Sequence, residues 1–509
     1  MAVAALSPTA SRTSGANRSS RTATTVVLAC LGVFCAYLQI SAISVSLATI
    51  GRDLHASTTA LQWVFDAFTI PVAALVLSFG VLGDLAGRKR IAIAGLALTV
   101  TGNLISLLAP GTGVLLTGRA IAGVGAAALL PATLALITHA VPEPARRGHY
   151  VAFWTGALNV GLAVGPFIAG VLLAHASWRW VFLPVTLVPL AVLILSACLL
   201  EDSRAAEGRR LDVPGQILAA AGIFALIYGV IEGGQQGWTS PQALVALPLA
   251  ALVLTGFVLV EQRSPSPMLR PQLFRSPAFL ASVLAGLLAM FSLIGSNFVL
   301  SLFLGAVQRL TPFGIALRLL CLYGAVLVTG QLAGRVLART GPRTPLISGL
   351  LLAGVGLFTL RGVQPDSSLA DLGWRLALLG LGFGLVLTSV TAAAVNAVPR
   401  HLAGMASAAI NTFRQVGAAL GPAILGVILT TATTSHLTTG AASISPGAFH
   451  TLAQEGLGGL TRLTVSPAGQ AAIGHSAASA IHTCATVSGC GMLLAALLVA
   501  TLMPRRTHD

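Results

Sequence analysis

Asp66 and Arg119 are the two residues whose type and placement best allow chemistry in this chain. Each lies about five residues, or roughly 8 Å of helical rise, inside a long apolar run (61–82 and 114–141) entered from the same side. A carboxylate level with a guanidinium can load or release a proton as its neighbour moves, and the same two groups can equally form a static ion pair. Ionisable groups are costly in lipid, so those present mark pathways by default. Arg318 lies near the outer end of the run at 313–337, and Arg414 lies near the middle of the run at 403–432. Arg414 can bind a substrate carboxylate or carbonyl, or hold backbone carbonyls and Gln415 within a helix bundle. The amides of Gln39, Asn159, Asn297, Asn411 and Gln415 fall near mid-depth, where each can hydrogen-bond a ligand or a facing helix.

A second kind of chemistry sits in Gly80-Val-Leu-Gly83-Asp84-Leu-Ala-Gly87-Arg88-Lys-Arg90, which places one acid and three bases between two apolar runs. A short charged hairpin between two membrane helices fits this pattern. Gly80, Gly83 and Gly87 permit close approach of the helix ends, and Asp84 can meet a basic group or a helix N-terminus across a bundle interface. Such a contact can form in one conformation and break in another; the plainer reading is a positively charged cytoplasmic loop.

These residues need a membrane scaffold. Charged residues make up 8% of the 509 and hydrophobic ones 55%, and the mean hydropathy of +0.89 is far from that of a soluble domain. A span needs about 20 apolar residues. Fourteen segments qualify, near 24–50, 61–82, 91–109, 114–141, 149–173, 178–200, 213–231, 242–260, 278–306, 313–337, 344–361, 372–397, 403–432 and 483–503. The expected fold is therefore an all-α integral membrane protein. The net charge of +15 is scattered over short loops, which reports topology and not a nucleic-acid partner. With both termini inside, roughly 20 of the basic residues fall in cytoplasmic segments, including Arg146, Arg147, Arg209, Arg210, Arg339, Arg343, Arg505 and Arg506. The six cysteines show no metal-ligand spacing and read as small apolar residues. No His cluster, nucleophile elbow or metal spacing suggests an enzyme, a cofactor or a metal.

The pattern Gly-x-x-x-Gly-Pro occurs twice, at Gly161, Gly165, Pro166 and Gly170, and again at Gly417, Gly421, Pro422 and Gly426. Glycines one turn apart make a flat strip, and the proline removes a backbone donor and can bend the helix. Either copy suits ordinary close packing; two copies at corresponding places imply two related halves and a moving interface. The stretch Gly334 to Arg343 echoes the hairpin, with Ala338 at its acidic position. The expected plan is a cytoplasmic tail (1–23), a six-helix bundle (24–200), linkers with two accessory helices at 213–231 and 242–260 (201–277), a second six-helix bundle (278–503) with a long outer loop (433–482), and a cytoplasmic tail (504–509).

The hairpin resembles the signature of the major facilitator superfamily. Leu61-Gln-Trp-Val-Phe-Asp66, Gly118-Arg119-Ala-Ile-Ala-Gly123, Trp178-Arg-Trp-Val-Phe182, Ile231-Glu-Gly-Gly-Gln-Gln-Gly-Trp238 and Asn411-Thr-Phe-Arg414-Gln415 extend the likeness to the fourteen-helix drug:proton antiporter-2 family. The resemblance implies export of toxic or self-made small molecules by alternating access, in exchange for protons; a monomer in the bacterial plasma membrane is expected. It also implies that the Gly-Pro strip is the antiporter motif and that arginine belongs at 318 and 414.

One departure matters. Where the family's first helix carries an acid, Asn and Pro, this chain has Gln39, Ser44 and Ala48. Glutamine cannot titrate, so coupling through an interior acid rests on Asp66, with Asp84 at the rim behind it. The absence of interior acids from the last six spans suits a neutral, zwitterionic or anionic substrate better than a dication. A proton-independent uniporter or importer, and a non-transporting receptor or scaffold, stay open as alternatives.

Overall fold

The computed structural model describes residues 9–141, 143–203, 212–265, 267–399, 402–438, 446–459 and 466–504. The helices are α1 (Thr9–Asp53), α2 (Thr58–Ala86), α3 (Arg88–Leu107), α4 (Thr112–Ala140), α5 (Pro144–His175), α6 (Pro184–Leu199), α7 (Val213–Gln236) and α8 (Pro241–Arg263). They continue as α9 (Pro277–Ala306), α10 (Pro312–Thr340), α11 (Arg343–Thr359), α12 (Leu369–Asn396), α13 (Ala403–Thr438), α14 (Pro446–Gly459) and α15 (Pro467–Leu502). Among the described residues, 14 helical spans are long and apolar enough to cross a membrane, one for each helix but α14, with α6 extended by the turn Trp178–Phe182 and α11 by Leu360–Gly362.

Short sequence signals start these helices. Proline opens α8, α9, α10 and α15 at the first turn, where its missing N–H is not needed. The residue before it caps the helix: Ser240, Ser276, Thr311 and Ser466 each accept a bond from a first-turn amide. Long apolar stretches then propagate the helix, because backbone groups in lipid must be satisfied within it.

Helices α1–α6 pack on one another, as do α9–α13 with α15. The two groups meet where α2 lies on α13, α5 on α10, and α1 on α9. Helices α7 and α8 form a hairpin whose α7 reaches both sides of this seam: Ile223, Ile227, Val230 and Ile231 pack with Ile70 and Ala73 of α2 and with Ala419 and Ala423 of α13.

One expectation is corrected. The outer loop anticipated over 433–482 is much shorter: α13 runs to Thr438, α14 occupies 446–459, and α15 begins at Pro467. The cause is composition: 467–482 is rich in Ala, Gly, Ser and His, which fill a helix without the large apolar residues that mark a span. Residues 9–23 belong to α1. Arg209, Arg210, Arg505 and Arg506 lie outside the described residues.

Candidate functional site

Asp66 and Arg119 are both fully buried, but no ion pair joins them. Arg119 reaches α2 at one face: its Nε donates to the Val64 carbonyl at 3.2 Å, and its guanidinium carbon stands 4.6 Å from the Phe68 ring centre. Asp66 is two residues from both, about 200° around the helix. It shares the other face with Gln62, whose Nε2 donates to the Pro422 carbonyl of α13 at 3.2 Å. The equal depth of the two residues is thus not a pairing, because rotation about α2 separates them. Thr69 donates to Asp66 Oδ1 at 3.1 Å, and Oδ2 has no partner. The guanidinium of Arg119 leaves Nη1 and Nη2 unpartnered and gains instead from the ring face of Phe68.

The two glycine strips are used alike. A side chain at Gly161 would meet the Phe34 carbonyl at 2.8 Å, and one at Gly165 would meet the Ala42 nitrogen and Leu38 carbonyl at 2.8 Å, all on α1. Gly417 and Gly421 press in the same way on Leu287 and on Phe291 and Gly295 of α9. These pairs of glycines therefore close each bundle internally, and the expected moving interface is met only by the third glycine of each strip. Gly170 abuts Ala316 and Phe313 of α10, and Gly426 abuts the Gln62 amide of α2.

The charged hairpin is tied to its own bundle. Asp84 at the end of α2 pairs with Arg88 at the start of α3 at 3.0 Å, so its basic partner is local and not across the interface. Arg88 also donates to the Ala135 carbonyl of α4 at 3.4 Å, and Gly87 takes φ +110°, a conformation that L side chains rarely adopt. Gly80 lies 3.6 Å, measured from a side-chain position on it, from Pro131, and Gly83 lies 4.0 Å from Arg88. Lys89 caps α6 by donating to the Ala197 and Leu200 carbonyls at 2.9 and 2.6 Å. The second half repeats the device: Gly341 has φ +74°, and Arg343 donates to the Ala500 carbonyl at the end of α15 at 2.6 Å.

The face opposite the hairpin is closed between bundles. Ala48 of α1 contacts Gly305 of α9, and α14 lies across α1, α2, α9 and α13, with the Gly458 amide donating to Thr58 Oγ1 at 3.0 Å.

Within the bundle core, Gln39 and Asn297 are buried with neither amide nitrogen nor oxygen partnered. Asn159 is buried with its Oδ1 unpartnered and its Nδ2 turned toward Gly330 of α10. Asn411 instead donates to the Ser407 carbonyl in its own helix at 3.0 Å, and Arg318 bonds the Gly314 carbonyl of its own helix at 3.3 Å. Arg414 is 6% exposed, beside Gly286, with Nε unpartnered; it holds neither a backbone carbonyl nor Gln415, which is also buried. Gln39, Asn159, Asn297, Arg318 and Arg414 thus keep buried polar atoms without hydrogen-bond partners. Among the described residues no cluster can hold a metal ion.

Residues 29–422 match the Major Facilitator Superfamily. The Multidrug resistance protein Stp of Mycobacterium tuberculosis is 35% identical over 80% of this chain and 75% of its own length. The puromycin resistance protein of Streptomyces alboniger is 35% identical over 78% of this chain and 79% of its own. Among solved structures, a bacterial homolog of the human lysosomal transporter Spinster, in an inward-facing and unoccupied conformation, superposes with a TM-score of 0.65 over 97% of this chain and 99% of its own, at 16% identity. At that identity the likeness concerns the fold alone. Sequence, relatives and fold agree: this chain is a multi-pass membrane transporter, and it belongs to the major facilitator superfamily.

Proposed function

We propose that this transporter exports a small organic toxic compound or antibiotic-like metabolite by alternating access, in exchange for protons. The observation that carries the reading is Asp66: a fully buried acid with an unpartnered Oδ2, on the face of α2 turned to the second bundle. A carboxylate there changes surroundings whenever α2 and α13 slide, and an acid whose surroundings change takes up and releases a proton. Resistance to puromycin and to multiple drugs, in the names of two relatives, supports export of antibiotic-like compounds.

The substrate is a neutral, zwitterionic or anionic molecule. Arg414, buried without an acidic partner, favours a carboxylate or carbonyl, and the open amides of Gln39 and Asn297 offer it hydrogen bonds. The basic hairpin face lies in the cytoplasm of a bacterial plasma membrane, with both termini on that side, by the positive-inside rule. The closed opposite face, with α14 across it, fits a state open toward the cytoplasm. The protein works as a monomer, and its two Gly-Pro strips keep each bundle rigid while the Gly170 and Gly426 contacts move.

A proton-independent uniporter or importer is the second reading, favoured by Gln39 standing where the family carries an acid. Accumulation of a radiolabelled compound to which the protein gives resistance separates them. Export predicts low accumulation that rises to the empty-vector level when a protonophore collapses the gradient. Accumulation indifferent to the protonophore supports the second reading.

A further inference from the structure

The base of the α7–α8 hairpin holds two acids that the transport pathway does not use. Asp212 caps α7, its Oδ1 accepting the Gly215 amide at 2.8 Å; Glu261, in the last turn of α8, accepts the Leu269 amide on Oε2 at 3.0 Å. They converge on one spot: from a side-chain position on Gly215, Glu261 Oε1 is 2.8 Å away and Asp212 Oδ1 is 3.1 Å away. Glu261 is 2% exposed and Asp212 6%. Each nonetheless has one oxygen without a hydrogen-bond partner, Oε1 of Glu261 and Oδ2 of Asp212.

Two buried carboxylates this close repel if both are ionised, and the repulsion is large where water is excluded. Counter-charge is not at hand among the described residues. Arg263 and Arg275 flank the hairpin and the following turn, and Arg270 lines a cavity of about 510 Å³ together with Glu261, yet none of the three pairs with either acid. One proton answers both deficits. Placed on Glu261, it gives the bare oxygen a donor role toward Asp212 and reduces the pair's charge from −2 to −1.

We propose that Asp212 and Glu261 bind a single shared proton, forming a protonatable site at the base of the accessory hairpin that is separate from Asp66. The site is placed to matter mechanically. Its helix α7 packs on both α2 and α13, and the segment leaving α8 is anchored to the second bundle by the Arg270 amide on Met405 Sδ at 3.2 Å. The proposal does not depend on Asp66 being the coupled acid.

Infrared spectra of the purified full-length protein in lipid nanodiscs, in sodium-free buffer at neutral pH, test it through the carboxylic-acid C=O band and its shift in D2O. An Asp66→Asn background removes the other buried acid of the transport seam. The band is expected to persist in that background and to vanish on adding either Glu261→Gln or Asp212→Asn. Both substitutions are near-isosteric, and the new amide donates to the remaining carboxylate, so either suffices if the other fails to fold. No band in the Asp66→Asn protein, or a band indifferent to both added substitutions, overturns the proposal. A band that disappears on adding millimolar sodium chloride, but not choline chloride, overturns it in favour of a sodium ion held by the same pair.

Discussion

Gln62 of the first bundle donates its side-chain amide to the carbonyl of Pro422, in the glycine-proline strip of the second, across 3.2 Å. Asp66 lies one turn further along the same face of α2, so the acid and the strip meet at one seam. Removing that hydrogen bond with Gln62→Ala is expected to cost about 1 kcal/mol at the seam. Drug resistance should fall several-fold at unchanged membrane abundance, checked by dose–response growth beside immunoblots. Gly426→Leu, which drives a side chain into the Gln62 amide, should abolish resistance outright.

The glycines of the strips differ by position. Gly165→Ala forces a methyl against the Leu38 carbonyl and Ala42 nitrogen of α1, and overpacking of that kind costs about 1–3 kcal/mol. Gly334→Ala, at a site with nothing within 4 Å, should be neutral or slightly stabilising. Melting of the two purified variants in detergent checks the contrast: the first lowered, the second not.

Asp84 and Arg88 pair within one hairpin, so their coupling is local. Asp84→Asn alone is expected to reduce transport. Exchanging the charges, Asp84→Arg with Arg88→Asp, should restore part of it, because the two positions stay paired across the Gly87 turn. A contact that depended on a base in the other bundle would show no such rescue.

Lys89 and Arg343 hold the last carbonyls of α6 and α15 in corresponding places. Each Ala substitution should cost roughly 0.3–1 kcal/mol of stability. The two should add in the double variant, since the sites lie in different bundles, as thermal unfolding of singles and double would report.

Much of the fold was legible in the sequence because lipid admits so few backbones: apolar length alone located the spans. The N-terminal half of α15 escaped, since its Ala, Gly, Ser and His pack as helix without large apolar side chains. Spacing also identified the glycine strips, yet it did not say that Gly161 and Gly165 face their own bundle while Gly170 faces the other. The same limit explains Asp66 and Arg119. Rise along a helix follows from counting residues, but the direction a side chain takes around it depends on which helices pack there. In a span apolar on nearly every side, no hydrophobic stripe records that choice. Arg414 and Gln39 were recognisable as polar residues at depth; that neither finds a partner for its buried polar atoms required the packing around them.

The most direct test of proton-coupled export through Asp66 is growth of an efflux-deficient bacterial host on a broad panel of toxic compounds, with empty vector, this protein or its Asp66→Asn form. The account predicts protection by the wild type against at least one neutral, zwitterionic or anionic compound, lost in Asp66→Asn at equal membrane abundance. Equal protection by the two forms would contradict it, removing Asp66 as the obligatory proton carrier.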